Sequence, residues 1–75
     1  MITLYTGTGC HLCEQARAIL DDVVGAGAYT VVNITGDEAL MASYGTRIPV
    51  VKNAGGIEKG WPFSAGQIKR LAVGD

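Results

Sequence analysis

Charge of either sign is scarce in this chain. Asp, Glu, Lys and Arg make up 17% of its 75 residues and leave a net charge of −1, with acids and bases interspersed. No basic stripe points to nucleic acid, and no polybasic tail points to a membrane. Long apolar runs are missing too, so no transmembrane span is expected. Met1 leads directly into a strand-like segment rather than a charged leader with an apolar core, which argues for a cytoplasmic location. Two cysteines, three residues apart, are too few and too close for the disulfide framework of a secreted mini-domain. Low charge does not mean disorder here, because 48% of the residues are apolar, enough for one core. One domain over residues 1–75 is expected, near the lower size limit for folding without a staple. There is no repeat, linker or low-complexity segment.

What is present falls into alternating segments. Ile2 to Thr6 is rich in β-branched and aromatic residues and reads as a strand, followed by a Gly7-Thr8-Gly9 loop. From Cys10 to about Val24, Leu12, Ala16, Ile19, Leu20 and Val23 recur at helical spacing, and Gly25 or Gly27 would end that helix. Tyr29 to Ile34 is a second strand. Thr35 and Glu38 have capping-box spacing before a short helix that Gly45 closes. Ile48 to Lys52 reads as a third strand, Asn53 to Gly56 as a turn, and Ile57 to Lys59 as the returning arm of a hairpin. Ser64 and Gln67 form a second capping box ahead of a last helix carrying Ile68 and Leu71. The order is β-α-β-α-β-β-α, an α/β fold with a four-stranded mixed sheet flanked by helices. The first two strands should be parallel and the last two antiparallel.

The chemistry concentrates in Gly9-Cys10-His11-Leu12-Cys13. A helix start has unpaired N–H groups and partial positive charge, which favour a thiolate. The second cysteine lies one turn on, within disulfide reach. C-x-x-C spacing alone serves redox chemistry, metal binding or neither; after a strand and at a helix start it is a redox signal. Cys10, at the tip, should attack, and Cys13, a turn inside, should resolve the mixed disulfide. His11 between them would favour the Cys10 thiolate if protonated, and is otherwise an exposed loop histidine.

Pro49 conflicts with its surroundings, because proline interrupts a strand ladder. From the residues alone it reads as an ordinary trans edge-strand proline; a cis Ile48–Pro49 bond would turn the Ile48 N–H and C=O toward the cysteines. Ser64 and Ala65, at the last helix start, are candidates to hold a carboxylate on free N–H groups, or simply a capped helix end. Arg47 is either a contact for an anionic substrate or an exposed loop arginine. Trp61-Pro62-Phe63 reads as core, or as a docking surface if Trp61 is exposed.

Leu4-Tyr5-Thr6, Gly9 to Glu14, and Tyr44-Gly45-Thr46-Arg47-Ile48-Pro49-Val50 together resemble the glutaredoxin-like branch of the thioredoxin superfamily, in particular a short bacterial type with a Cys-His-Leu-Cys site. The resemblance implies a thioredoxin-like, glutaredoxin-type fold with sheet order 2-1-3-4. It also implies a cis Pro49, Cys10 as attacking thiolate, Cys13 as resolving thiol, and an Ile48 backbone that pairs with substrate. The implied activity is thiol–disulfide oxidoreduction on a disulfide-containing protein or small thiol. The implied reductant is glutathione or a thioredoxin-reductase-type enzyme; no resident cofactor or metal is implied, and a monomer is expected. Two features typical of glutathione users are absent. Gly7 stands where they place a basic residue, and Gly60 to Ala65 lacks their Gly-Gly-acidic entry to the last helix. The Trp61 region is more loosely similar to redoxin H, an electron donor to ribonucleotide reductase. Small copper chaperones and iron–sulfur carriers also use such cysteines. The chaperones end in a strand, so a helical Ser64–Ala72 favours the redoxin order.

Overall fold

A computed structural model describes residues 1–73. The elements are β1 (Ile2–Thr6), α1 (His11–Val23), β2 (Tyr29–Asn33), α2 (Glu38–Tyr44), β3 (Val50–Lys52), β4 (Glu58–Gly60) and α3 (Ala65–Val73). The sheet order is β2-β1-β3-β4, with β1 parallel to β2 and antiparallel to β3, and β3 antiparallel to β4. A long helix between β1 and β2 makes the parallel pairing reachable, whereas the short Asn53–Gly56 turn makes β3 and β4 a hairpin.

Side chains alternate across β1, and each face finds its own cover. Ile2 and Leu4 pack with Val51, with Ala16 and Leu20 of α1, and with Phe63 and Ile68 beside and in α3. Tyr5 points the other way and joins Val50, Ile34, Leu40, Tyr44 and Ile48 under α2. Two helices therefore cover one face and one covers the other. Leu4, Leu20, Ile68, Val50 and Val51 are fully buried, and burying an aliphatic side chain of this size contributes about 1.5–3 kcal/mol.

Helix ends follow the sequence in two cases and correct it in a third. Ser64 and Gln67 do form the reciprocal box: the Ser64 N–H donates to Gln67 Oε1 at 2.9 Å and the Gln67 N–H to Ser64 Oγ at 3.3 Å. Beyond Val24, Gly25 takes φ +97° and its N–H donates to the Leu20 carbonyl at 3.2 Å, closing α1. Thr35, however, does not cap α2. Asp37 does, its carboxylate accepting the Leu40 N–H at 3.0 Å. The Thr35 hydroxyl instead accepts the Thr8 N–H at 3.0 Å, tying the loop after β1 to the end of β2.

The hairpin strands are also displaced from their expected limits. β3 begins at Val50, not Ile48, because the Ile48 N–H turns to the Tyr44 carbonyl at 3.0 Å and Pro49 has no N–H. β4 begins at Glu58, not Ile57, because the Ile57 N–H donates to the side chain of Asn53 at 2.9 Å. Asn53 is buried and its amide also donates to the Leu71 carbonyl at 3.3 Å, so the turn is fastened to α3. No helix among the described residues is long and apolar enough to cross a membrane.

Candidate active site

The loop that carries the cysteines is braced before it reaches them. Asn33 at the end of β2 donates through Nδ2 to Thr8 Oγ1 at 3.2 Å and accepts the Thr35 N–H at 2.9 Å. Gly9 takes φ +73°, a region that favours glycine, and delivers the chain to the helix start. Cys10 is then the N-cap of α1, with extended backbone (φ −85°, ψ 106°). Its sulfur occupies the place of a capping oxygen and accepts the Cys13 N–H at 3.1 Å. Cys10 is half-buried, whereas Cys13 is only 2% exposed. The two are joined as a disulfide, their Cα atoms 5.2 Å apart.

Two shallow grooves take lining residues from the start of α1. One, of about 260 Å³, is lined by both cysteines, Thr6, Asn33, Glu14 and Arg17 among others, on the β2 side. The other, of about 460 Å³, is formed by Leu12, Thr46, Arg47, Ile48, Gly60 and Trp61. Its Ile48 is joined to Pro49 by a cis peptide bond, as the resemblance implied and the residues alone did not. A second cis bond, Trp61–Pro62, was not foreseen. The two segments meet, since the Trp61 N–H donates to the Pro49 carbonyl at 3.0 Å.

Ile48 touches the cysteine loop directly. A Cβ built on Gly7 would lie 2.7 Å from the Ile48 terminal methyl, so Gly7 leaves the room that Ile48 occupies. This gives a physical reason why no basic residue stands at position 7. Only half of the expected Ile48 backbone ladder is open, because its N–H is held by Tyr44. The carbonyl has no partner of this kind among the described residues.

The other candidates are placed less centrally. His11 is 94% exposed at its side chain and lies 3.7 Å from the Glu14 carboxylate. Ser64 and Ala65 line neither groove, and Ser64 is engaged with Gln67. Trp61 is half-buried and packs edge-to-face on Phe63 with ring centroids 5.0 Å apart, so it is largely core. Arg47 does line the second groove, but as half of an ion pair with Glu58 at 3.4 Å.

That pair belongs to a cluster the sequence reading missed. Tyr44 stacks on Tyr5 with centroids 4.3 Å apart, carries the Arg47 guanidinium 5.4 Å above its ring, and donates its hydroxyl to Glu58 at 2.5 Å. The Tyr44 carbonyl accepts the N–H groups of both Arg47, at 2.8 Å, and Ile48. The hydrogen bond to Glu58 pushes the Tyr44 phenol up to about 12, and it holds the Glu58 carboxyl below its usual range, helped by Arg47. Nothing in the sequence marks Glu58, 14 residues away, as the partner of Tyr44.

A four-stranded sheet in this order, a C-x-x-C disulfide at the first helix start and a cis proline leading into β3 fit a thioredoxin-like fold with a redox-type centre. Residues 1–71 match the glutaredoxin-like domain family, and the chain belongs to that family. It is similar to the X-ray structure of a structural-genomics target protein, XcR50, from X. campestris. That similarity is 39% identity over 100% of this chain and 99% of that one, with a TM-score of 0.86. The solution structure of the same target matches at 39% identity over 99% and 94% of the two chains, with a TM-score of 0.84. No curated protein matches the chain.

Proposed function

We propose that the protein is a dithiol–disulfide oxidoreductase acting on disulfides of proteins or small thiols. The observation that carries this is the N-cap geometry: the sulfur of the half-buried Cys10 accepts an amide N–H at a helix start, while Cys13 is buried. The same N–H and the helix dipole stabilise a Cys10 thiolate once the disulfide is reduced.

The thiolate attacks one sulfur of a substrate disulfide, forming a Cys10–substrate bond and expelling the other half as a thiolate, which takes up a proton. Cys13 loses its proton and attacks the Cys10 sulfur, closing the internal disulfide and releasing the second substrate thiolate, which is protonated in turn. Two electrons and two protons pass to the substrate. Two molecules of a thiol such as glutathione, or a flavin-dependent reductase, return them. The Ile48 carbonyl is available to accept a hydrogen bond from an extended substrate beside the disulfide. The helical last segment, Ala65–Val73, supports this redoxin order over that of a copper chaperone.

Substituting each cysteine tests the division of labour. Cys10→Ser should abolish turnover, and Cys13→Ser should accumulate a mixed disulfide visible by mass spectrometry. Equal loss of activity with no trapped species contradicts it.

A further inference from the structure

Among the described residues, Arg47 is the only charged one lining the groove formed with Leu12, Ile48 and Trp61. Its guanidinium is half-exposed there, and it reaches Glu58 at 3.4 Å and the Ser43 carbonyl at 3.5 Å. Glu58 does not sit there by chance rotation. Its other oxygen accepts the Tyr44 hydroxyl, and Tyr44 is itself fixed by stacking on Tyr5. Glu58 lies opposite Lys52 in the hairpin, so its backbone is held by strand register as well. Apart from Arg47, the groove offers Leu12, 42% exposed, with Ile48, Trp61, Thr46 and Gly60.

We infer that Glu58 sets the charge selectivity of this groove: by neutralising Arg47 it makes the site favour disulfides without negative charge over anionic ones. The inference rests on the redox reading above and adds a specificity-determining residue to it. Glu58 acts through Arg47 rather than by touching the substrate, so it is a positioning residue. A paired arginine offers an incoming carboxylate little net field, because the Glu58 charge repels what the guanidinium attracts. An apolar or neutral flank meets Leu12, Ile48 and Trp61 at no such cost.

The test uses two disulfide probes on the fully reduced protein: glutathione disulfide, which is anionic, and bis(2-hydroxyethyl) disulfide, which is neutral. Second-order rate constants are compared for the wild type, Glu58→Gln, Arg47→Gln and the double variant. Glu58→Gln should raise the ratio of anionic to neutral rates about two- to five-fold at low salt, the scale of one partly exposed ion pair. The gain should shrink at ~1 M salt, where the Debye length falls to about 3 Å. It should be largely lost when Arg47 is also replaced, a dependence that a merely structural role would not produce.

Tyr44→Phe, which keeps the stacking but releases one Glu58 oxygen, should move the ratio in the same direction by less. It gives a second measurement if Glu58→Gln folds poorly. An unchanged ratio in an active protein, or a gain that persists without Arg47, overturns the role of Glu58 while leaving the redox reading intact. Wild-type protein that reduces neither probe overturns the redox reading, and the selectivity falls with it.

Discussion

Replacing Gly7 with alanine probes the contact between the cysteine loop and the Pro49 segment. Gly7 does not have a positive φ, so alanine brings no backbone strain. The obstacle is steric: the new Cβ would sit 2.7 Å from the Ile48 terminal methyl, roughly 1 Å inside an optimal carbon–carbon separation. Overpacking of this kind costs about 1–3 kcal/mol. The lower end applies because the methyl ends a flexible, half-buried side chain. Removing a glycine also restricts the unfolded chain, which stabilises by about 0.4–1 kcal/mol. Gly7→Ala should therefore cost no more than about 0.5 kcal/mol net in the wild-type background. In an Ile48→Val background the offending methyl is gone, and the same change should be neutral or slightly stabilising. Urea unfolding of the oxidised proteins, with a slope of about 1 kcal/mol per molar, would show the first case as a downward midpoint shift of up to about 0.5 M and the second as no shift or an upward one. The double-mutant cycle isolates the coupling. An equal penalty in both backgrounds would show that Gly7 and Ile48 do not meet as described.

Two further perturbations follow from groups outside the disulfide. The Tyr44–Glu58 bond makes stability depend on pH at both ends of the scale. Glu58 ionises below its ordinary value of 4.5 in the folded protein, so its contribution is present above that value and is lost as pH falls through the lower folded value. Tyr44 is raised from 10.0 to about 12, so its contribution is full below pH 10 and disappears as pH rises toward 12. Unfolding curves of wild type and Tyr44→Phe should differ most between these limits and converge beyond them; parallel curves throughout would contradict the bond. Ser64→Ala removes the acceptor for the Gln67 N–H and should lower stability by about 1 kcal/mol. No loss on thermal unfolding would mean the box contributes nothing.

Local signals carried most of this fold. The alternation of β1, the helical spacing of Leu12 to Val23, and Ser64 three before Gln67 are patterns within one element, and each formed as read. Errors came where a side chain had two uses. Thr35 has the residue type and spacing of a cap, but its hydroxyl is taken by Thr8, 27 residues away, and Asp37 lies nearer the first turn. Pro49 shows the same limit, since its residues alone favoured trans and only family resemblance pointed to cis. At the site, the cysteine pair was legible because its chemistry is compressed into one helical turn. The Tyr5–Tyr44–Glu58–Arg47 cluster was not, because it joins β1, α2, the following loop and β4.

The proposed thiol–disulfide chemistry rests on the amide that Cys13 directs at the sulfur of Cys10. Cys13→Ser retains that amide and leaves Cys10 as the sole thiol, so its alkylation by iodoacetamide can be followed against pH in the folded protein. The account predicts half-maximal rate below pH ~7.5, as for thiols at helix starts, against ~8.5 for free cysteine. A curve superimposed on that of free cysteine, or a sulfur that reacts only after unfolding, would contradict it.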